Sequence, residues 1–547
     1  MNRILFIVPP NISFKEFINP ANTVKSIKIG DRYLRSIMTS MPIGIFSMSA
    51  YLKKNSDVKV KLLDLTVVMN KLQKFEYVNY KDFFADIISQ KEFENFNPNI
   101  IAISALFAAA YSPMLDIAKV CKEIFPSSII VVGGGVPTNM YKDIYKDSDA
   151  IDAVCYGEGE IPMLELVNAK NKYEYLDSNN SWITINKYGR QFTNNIIENL
   201  DEIPFYDYEL CTAEDYNINP GFSTYSDKYQ QKAFHVMTSR GCPFKCIFCS
   251  SHTVHGRKMR YFSIDRVEED FKKLKQKYNV DTIIFQDDHL LADKKRALKI
   301  LKIVKDIKFN TIFQNSLALF ALDKEMIKAI KEAGANYLQL AIESGSERVL
   351  KEIMHKPLKL SIVKEVVKNC REIGINTSTN ILIGLPGETK ADIAESIKFL
   401  KTLDVSWFFI YCASPLIGSE MYKICIDNNY LKAKFNESSF TTAEISTNEF
   451  TSDYIKEMRY TMNLDLNFIN NKDIQLGDYV SAVNRFESVI RAKEDHAFAY
   501  YYASICYKKL GNDQKSNEYL SKAKEFAKLD FWKKYITMFN LNMEQIV

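Results

Sequence analysis

Twice along this chain, short apolar runs alternate with amphipathic stretches of helical period, and a polar interval separates the two blocks. Near-continuous apolar strands are buried on both faces, which points to parallel sheets flanked by helices. In the first block, residues 1–165, strands read over Ile4–Val8, Val58–Asp64 and Ile100–Ala105, with helices over Ile43–Leu52 and Leu115–Ile124. Ile129–Gly135 and Ala153–Glu160 read as strands that run into glycine turns. A doubly wound Rossmann-like sheet is expected. Ligands of such sheets lie beyond the carboxyl ends of the strands, where Gly133, Gly134, Gly135 and Gly157 fall. The same glycines would also serve merely to make tight turns.

The second block, residues 231–434, holds strands over Phe234–Met237, Thr282–Phe285, Ile312–Asn315, Tyr337–Ile342, Thr379–Ile383 and Trp407–Cys412. Lys-rich helices such as Asp265–Tyr278 and Ser361–Ile373 lie between them. Six βα units predict a partial, open (β/α)6 barrel of TIM type. Several strands end in polar residues, namely Gln286-Asp-Asp-His289, Gln314-Asn-Ser316 and Glu343-Ser-Gly-Ser346, as a catalytic mouth requires. Residues 166–230 read as a linker with a short hairpin, and 435–471 as a helical extension. Beyond that, Gly477-Asp-Tyr-Val-Ser-Ala482 recurs 34 residues on as Gly511-Asn-Asp-Gln-Lys-Ser516, and Phe486 matches Leu520. That period predicts tetratricopeptide-like repeats over 472–530, with a plain helical hairpin as the alternative. So few repeats rarely stand alone, so this all-α segment is expected to dock on a neighbour.

A chain of 547 residues exceeds one core, and multiple α/β and α domains follow. Its net charge of +4, from 71 basic and 67 acidic residues, is too small to argue for nucleic acid or a membrane surface. No run approaches the ~18 apolar residues of a membrane span. The ten cysteines are scattered singly except for one triad, which argues against a disulfide framework and suits a reducing cytoplasm.

That triad lies in Thr238-Ser-Arg-Gly-Cys-Pro-Phe-Lys-Cys-Ile-Phe-Cys-Ser250, at the carboxyl end of the first barrel strand. Cys242, Cys246 and Cys249 on one short loop can hold three irons of a [4Fe–4S] cluster and leave the fourth open to a non-protein ligand. An open iron is what reductive cleavage of S-adenosylmethionine (SAM) needs. Zinc is the alternative, with His252 or His255 as fourth ligand.

Other residues are weighed against blander roles. Asp287 and Asp288 are adjacent, so on a continuing strand only one faces the site. His289 suits a proton carrier, a substrate contact or a polar stopper of the mouth. Arg257-Lys-Met-Arg260 reads as a solvated basic face. Cys412 reads as buried packing or as a hydrogen donor to a radical.

In the order Met41-Pro-Ile-Gly44, Val131-Val-Gly-Gly-Gly135, Gly157-Glu-Gly-Glu160, the cysteine loop, Phe285-Gln-Asp-Asp288, Ile342-Glu-Ser-Gly-Ser346 and Ile383-Gly-Leu-Pro-Gly-Glu-Thr389, the chain resembles the radical SAM enzymes that carry an N-terminal cobalamin (B12)-binding domain. The resemblance covers residues 1 to about 430. It implies that Cys242, Cys246 and Cys249 bind the cluster and that Phe248 packs near the adenine. It also implies that Asp287 or Asp288 lies near the methionine amino group, Glu343 with Ser344 near the ribose, and Ile383 and Gly384 behind the adenine. Ser104, Gly133, Gly134, Gly135 and Gly157 would contact the corrin and its nucleotide tail. The Asp-x-His-x-x-Gly motif of a lower axial histidine is absent. The chain reads Asp64-Leu-Thr-Val-Val-Met69 there, and all six histidines lie at 235 or later.

The resemblance implies SAM cleavage coupled to cobalamin-dependent C-methylation; the alternative is ring formation or another radical rearrangement by a non-methylating enzyme whose first domain is vestigial and merely packs on the barrel. It further implies a small-molecule or carrier-tethered substrate and an electron donor such as flavodoxin or ferredoxin. A scaffold with an inert metal knuckle, gripping a protein partner through its helical tail, is the reading from a different class.

Overall fold

Asn2–Val8 (β1) lies at the heart of the first sheet because its neighbours cover both of its faces: Ile4, Leu5 and Ile7 are wholly buried. The computed structural model describes residues 1–20, 26–35, 37, 39–187, 189–216, 232–431 and 444–543. The expected linker end at 217–230 and the extension's start at 435–443 lie outside the described residues. Val58–Asp64 (β2), Ile100–Ser104 (β3), Ile129–Gly133 (β4) and Ala153–Cys155 (β5) run parallel to β1 in the order β2-β1-β3-β4-β5. The chain winds to one side of β1 and then to the other, so the switch point lies between the carboxyl ends of β1 and β3.

The polar interval makes no local hairpin among the described residues. Instead Trp182–Ile183 (β6) pairs antiparallel with β5 and closes that edge of the sheet. The driving force is apolar: Trp182 is fully buried against Leu166, Val167 and Leu176.

The barrel strands are Ala233–Val236 (β7), Thr282–Phe285 (β8), Asn310–Phe313 (β9), Tyr337–Glu343 (β10), Asn376–Ile383 (β11) and Trp407–Cys412 (β12). All pair in parallel, in two runs of three, β9-β8-β7 and β10-β11-β12. One parallel bridge, Leu317 to Leu340, joins the runs, and β7 and β12 do not pair among the described residues, so the six strands form an open barrel. The third strand begins two residues earlier than its apolar run suggests. Lys308 takes a left-handed conformation (φ 64°) that stops the preceding helix at Ile307 and turns the chain into the sheet.

After the barrel the described regular elements are mainly helices, among them Ser452–Leu464, Tyr479–Ala492, Ala497–Lys509, Asp513–Phe526 and Asp530–Met538. Gly477 (φ 78°) and Gly511 (φ 75°) each precede a residue that caps the next helix. Asp478 accepts from the Ser481 N–H and Asn512 from the Lys515 N–H. These helices share a core with the barrel edge. Trp407 of β12 stacks edge-on against Phe468 (5.7 Å) and Phe486 (6.4 Å). Asn467 completes the edge of β12 like a strand, accepting from the Phe408 N–H and donating to its carbonyl, both at 2.8 Å. No helix among the described residues is long and apolar enough to cross a membrane.

Candidate active site

The cysteine loop leaves β7 and returns through a two-residue antiparallel pairing of Ser239–Arg240 with Arg260–Tyr261. Gly241 at its base has φ 94°, and a Cβ there would come 2.3 Å from the Lys258 carbonyl, so only glycine closes this loop. The loop is seated from both sides. The Ile247 N–H donates to the Met354 carbonyl (3.1 Å), and the Met421 N–H donates to the Ile247 carbonyl (2.9 Å). Cys242, Cys246 and Cys249 are partly exposed, and none is joined in a disulfide. Burial pushes the Cys246 thiol up to about 11, with Lys356 pulling the other way, and burial raises Cys242 as well. Bound iron would reverse both shifts, because a coordinating thiol gives up its proton. Among the described residues no three His, Cys, Asp or Glu side chains converge on one point. A cube does not ask this of them, since each thiolate takes a different iron. The loop therefore fits a cluster.

The two aspartates do different work. Strand β8 ends at Phe285, so alternation no longer governs them. Asp287 is buried and spent within the fold: it accepts from the Thr238 N–H (3.0 Å), the Thr238 hydroxyl (2.8 Å) and the Ser239 hydroxyl (2.6 Å). It thereby fixes the start of the cysteine loop. Asp288 has a buried carboxylate oxygen with no hydrogen-bond partner, and burial raises its pKa. The Gly241 N–H beside Cys242 stabilises its charged form. A carboxylate with one buried oxygen left unsatisfied next to the cysteine loop suits a cationic group of a bound molecule.

Glu343 closes β10 in the left-handed region (φ 68°), where a non-glycine residue is strained, at a break in the β10–β11 register. Burial raises its pKa, and Lys356 sits 3.9 Å away. Ser344 is not free to reach a ligand. Its hydroxyl receives the Ser346 N–H and meets the Ser396 hydroxyl at 3.1 Å. Ile383 is buried, and Gly384 (φ 87°) packs on the helix that follows the barrel. A Cβ there would come 2.9 Å from Ile455. Glu388 clasps this turn, accepting from the Gly384 and Leu385 N–H groups. Phe248 is half-buried against the barrel core. Cys412 is fully buried, and burial pushes its thiol up to about 11.

In the first domain, Ser104 ends β3 at the switch point, and Leu106 and Phe107 follow it with 63% and 53% of their surface exposed. Two large apolar side chains left bare at a ligand crevice suit a flat, partly apolar group. Gly135 opens the helix Gly135–Asp147, whose N-cap Gly134 offers no side chain to the first N–H groups. The glycines are also steric necessities. A Cβ on Gly134 would lie 2.7 Å from the Ala105 carbonyl, and one on Gly157 would collide with the Asn194 side chain. Asp64, where a lower-ligand motif would stand, accepts from the Thr66 hydroxyl (2.6 Å) and the Tyr216 hydroxyl (2.9 Å). These residues would suit a corrin bound beyond the strand ends, and Asp64-Leu-Thr66 offers no histidine toward it.

The strand ends of the first domain face the barrel mouth. Ser47, Glu158 and Glu160 meet the cysteine loop in a buried ionic junction. Arg240 donates to Glu158 (3.0 Å) and Glu160 (2.6 Å), and Arg260 donates to Glu158 (3.0 Å), with 5% or less of each side chain exposed. Ser47 donates to Glu160 (2.6 Å), and the His255 ring meets Glu158 at 2.8 Å. Burial would raise the Glu158 pKa, but Arg240, then His255 and Arg260, hold it well below the usual carboxylate range. The solvated-face reading is thus corrected at Arg260. Lys258 does lie in water, but Arg260 pairs across the loop's hairpin and turns inward. The sequence offered one missed signal: two carboxylates in a glycine turn, with no cation nearby in the chain.

Two family models match the chain: the radical SAM superfamily over residues 236–400 and the B12-binding domain over 38–167. The chain is 30% identical over 428 residues to an uncharacterized methyltransferase of Pyrococcus horikoshii, covering 77% of this chain and 86% of that protein. It is 25% identical over 433 residues to cytidylyl-2-hydroxyethylphosphonate methyltransferase of Streptomyces wedmorensis, covering 71% and 78%. In fold it is similar to the cobalamin-dependent S-adenosylmethionine radical enzyme OxsB with aqua-cobalamin and S-adenosylmethionine bound. That likeness has a TM-score of 0.64 and 14% identity, and it covers 99% of this chain and 80% of the other. The matched domains bring a [4Fe–4S] cluster, SAM and cobalamin as cofactors.

Proposed function

The chain belongs to the cobalamin-dependent radical SAM enzymes, and from that premise we propose that it methylates carbon on a small or carrier-tethered substrate. When bound, the cluster and cobalamin supply one-electron cleavage of SAM and a methyl-carrying metal. The observation that carries the reading is the junction, which brings the strand ends of the first domain against the cysteine loop.

In this reading Cys242, Cys246 and Cys249 hold the cluster, and Lys356 offsets charge beside Cys246. Asp288, rather than the spent Asp287, receives the methionine ammonium. Glu343 accepts from the ribose, with Ser344 shaping the turn beneath it. Phe248 packs against the adenine, and Ile383 and Gly384 form the wall behind it. Ser104 and Gly133 to Gly135 underlie the corrin, with Gly157 turning the chain back toward the barrel. Residues 1–165 form the cobalamin domain, 231–434 the barrel and 472–530 the tetratricopeptide-like repeats. The equivalent capped turns at Gly477 and Gly511 support the last assignment. An electron donor such as flavodoxin or ferredoxin, and a protein partner at the repeats, complete the reading.

The test uses the reconstituted full chain, SAM labelled with deuterium in its methyl group, a reductant and a cell extract as substrate source. A product heavier by the labelled methyl, with 5′-deoxyadenosine released alongside, is the expected result. Release of 5′-deoxyadenosine with products that carry no label would replace methylation by rearrangement.

A further inference from the structure

The barrel mouth presents two surfaces that the cofactor assignments leave unused. The first is aromatic. The His289 ring lies 5.0 Å from Phe244 and 6.0 Å from Phe320, and the two phenyl rings meet nearly perpendicular at 5.7 Å. Phe320 keeps 50% of its surface exposed, so nothing among the described residues covers this face. Beside it lies a shallow opening lined by Phe313, Asp287, His289, Asn315 and Ser316.

The second surface is a row of neutral amides that crosses four strands. Gln286 donates to Gln314 at 3.1 Å, Gln339 donates to Asn380, and Asn380 donates to Ser316 at 3.2 Å. Asn315 joins the row by donating to the Gln286 carbonyl at 2.9 Å. The row carries no formal charge. The nearby Glu343 and Lys356 offset one another. Moving a charged group onto such a surface sacrifices its hydration without a partner, whereas a neutral amide edge exchanges its water for equivalent hydrogen bonds. Bare phenyl rings add offset or edge-on contact with another ring.

We propose that the part of the substrate held in the mouth is a flat, uncharged ring with a lactam- or amide-like edge. Its face lies on Phe320 and Phe244, and its edge meets the Asn315–Gln286 amides. This rests on the radical SAM reading for its role, though not for its measurement.

The test is ligand-observed saturation-transfer NMR on the reconstituted full chain with SAM and no reductant. The probe is 2-quinolone, which is flat and neutral with a lactam edge. Quinoline-2-carboxylate, flat but charged, and cyclohexanecarboxamide, neutral but not flat, are the comparisons. The expected result is 2-quinolone binding at least tenfold tighter than either. Binding should weaken about tenfold in Phe320→Ala and recover in Phe320→Tyr. Phe320 is exposed enough that its truncation leaves the core intact. Absent 2-quinolone binding, equal binding of the carboxylate, or binding indifferent to Phe320→Ala would overturn the proposal. No turnover is needed. A chain that binds 2-quinolone but never cleaves SAM would count against the enzymatic reading and leave this one standing.

Discussion

Where the barrel meets the first domain, Glu158 and Glu160 are buried against Arg240 and Arg260. Where it meets the C-terminal helices, Trp407 is buried against Phe468 and Phe486. The second seam is mainly apolar core: apolar area leaves water, Asn467 satisfies the edge of β12, and a buried carboxylate, Asp473, accepts from Arg371 (2.9 Å) and Ser406 (3.1 Å). The first seam desolvates ions, and ion pairs rarely repay that cost in stability over an apolar contact. What they add is direction, since a guanidinium fork donates to carboxylates in one geometry. Arg240 stands two residues before Cys242, so that direction is imposed on the cysteine loop itself. The chain concentrates buried charge beside the cysteine loop and relies mainly on apolar packing at the C-terminal seam.

The sharpest way to break the contrast is Glu158→Ala. It leaves Arg240 and Arg260 buried without their shared partner and should cost about 3–5 kcal/mol in denaturant unfolding, together with lost iron occupancy. A loss below about 1 kcal/mol would mean that this seam is wet and weak. Trp407→Ala should cost about 3 kcal/mol by opening a cavity in the apolar seam. Unlike Glu158→Ala, it should leave the iron content of the surviving folded protein unchanged.

Asp288→Asn removes the charge from the unsatisfied carboxylate and should weaken SAM binding roughly tenfold or more by equilibrium dialysis, as loss of a charge-assisted hydrogen bond implies. Asp287→Asn should instead disturb the cysteine loop and lower iron content, because its carboxylate is already spent on Thr238 and Ser239.

The smallest effects are in pH dependence, and the seams should differ in sign. Glu158 has its pKa depressed by Arg240, His255 and Arg260, so its contribution is whole above the ordinary carboxylate value and is lost as pH falls below it. Glu388 lies beside the second seam, near Tyr454, and burial pushes its pKa up to about 8. Its contribution is whole below about 4.5 and is lost as pH rises through about 8. Thermal unfolding against pH should show the acid limb flattened in Glu158→Gln and the alkaline limb flattened in Glu388→Gln. A shared limb would dissolve the comparison.

How much of this was legible in sequence follows from the range of each interaction. The strands were legible because parallel sheets demand apolar runs, and Ile100–Ser104 and Thr282–Phe285 fall where those runs do. The cysteine triad was legible because three candidate ligands fit in one loop. The ionic junction was not, because Glu158 and Arg260 lie 102 residues apart and neither sits in a pattern that implies the other. Nor could spacing divide labour between Asp287 and Asp288, since the end of β8 at Phe285 decides it. Trp182 was read into a linker because two strand residues carry no period, and only burial reveals that they belong to the sheet.

The central claim is that one junction holds a cluster-bearing loop against a cobalamin-bearing sheet. Its most direct test is anaerobic reconstitution of the full chain with iron, sulfide and hydroxocobalamin, read by metal analysis and ultraviolet–visible spectra, beside the variant with Cys242, Cys246 and Cys249 all changed to Ala. The account predicts about four irons per chain in the native protein and none in the variant, with corrin bands retained by both. Iron that survives the triple change, or a native chain that retains no corrin, would contradict it.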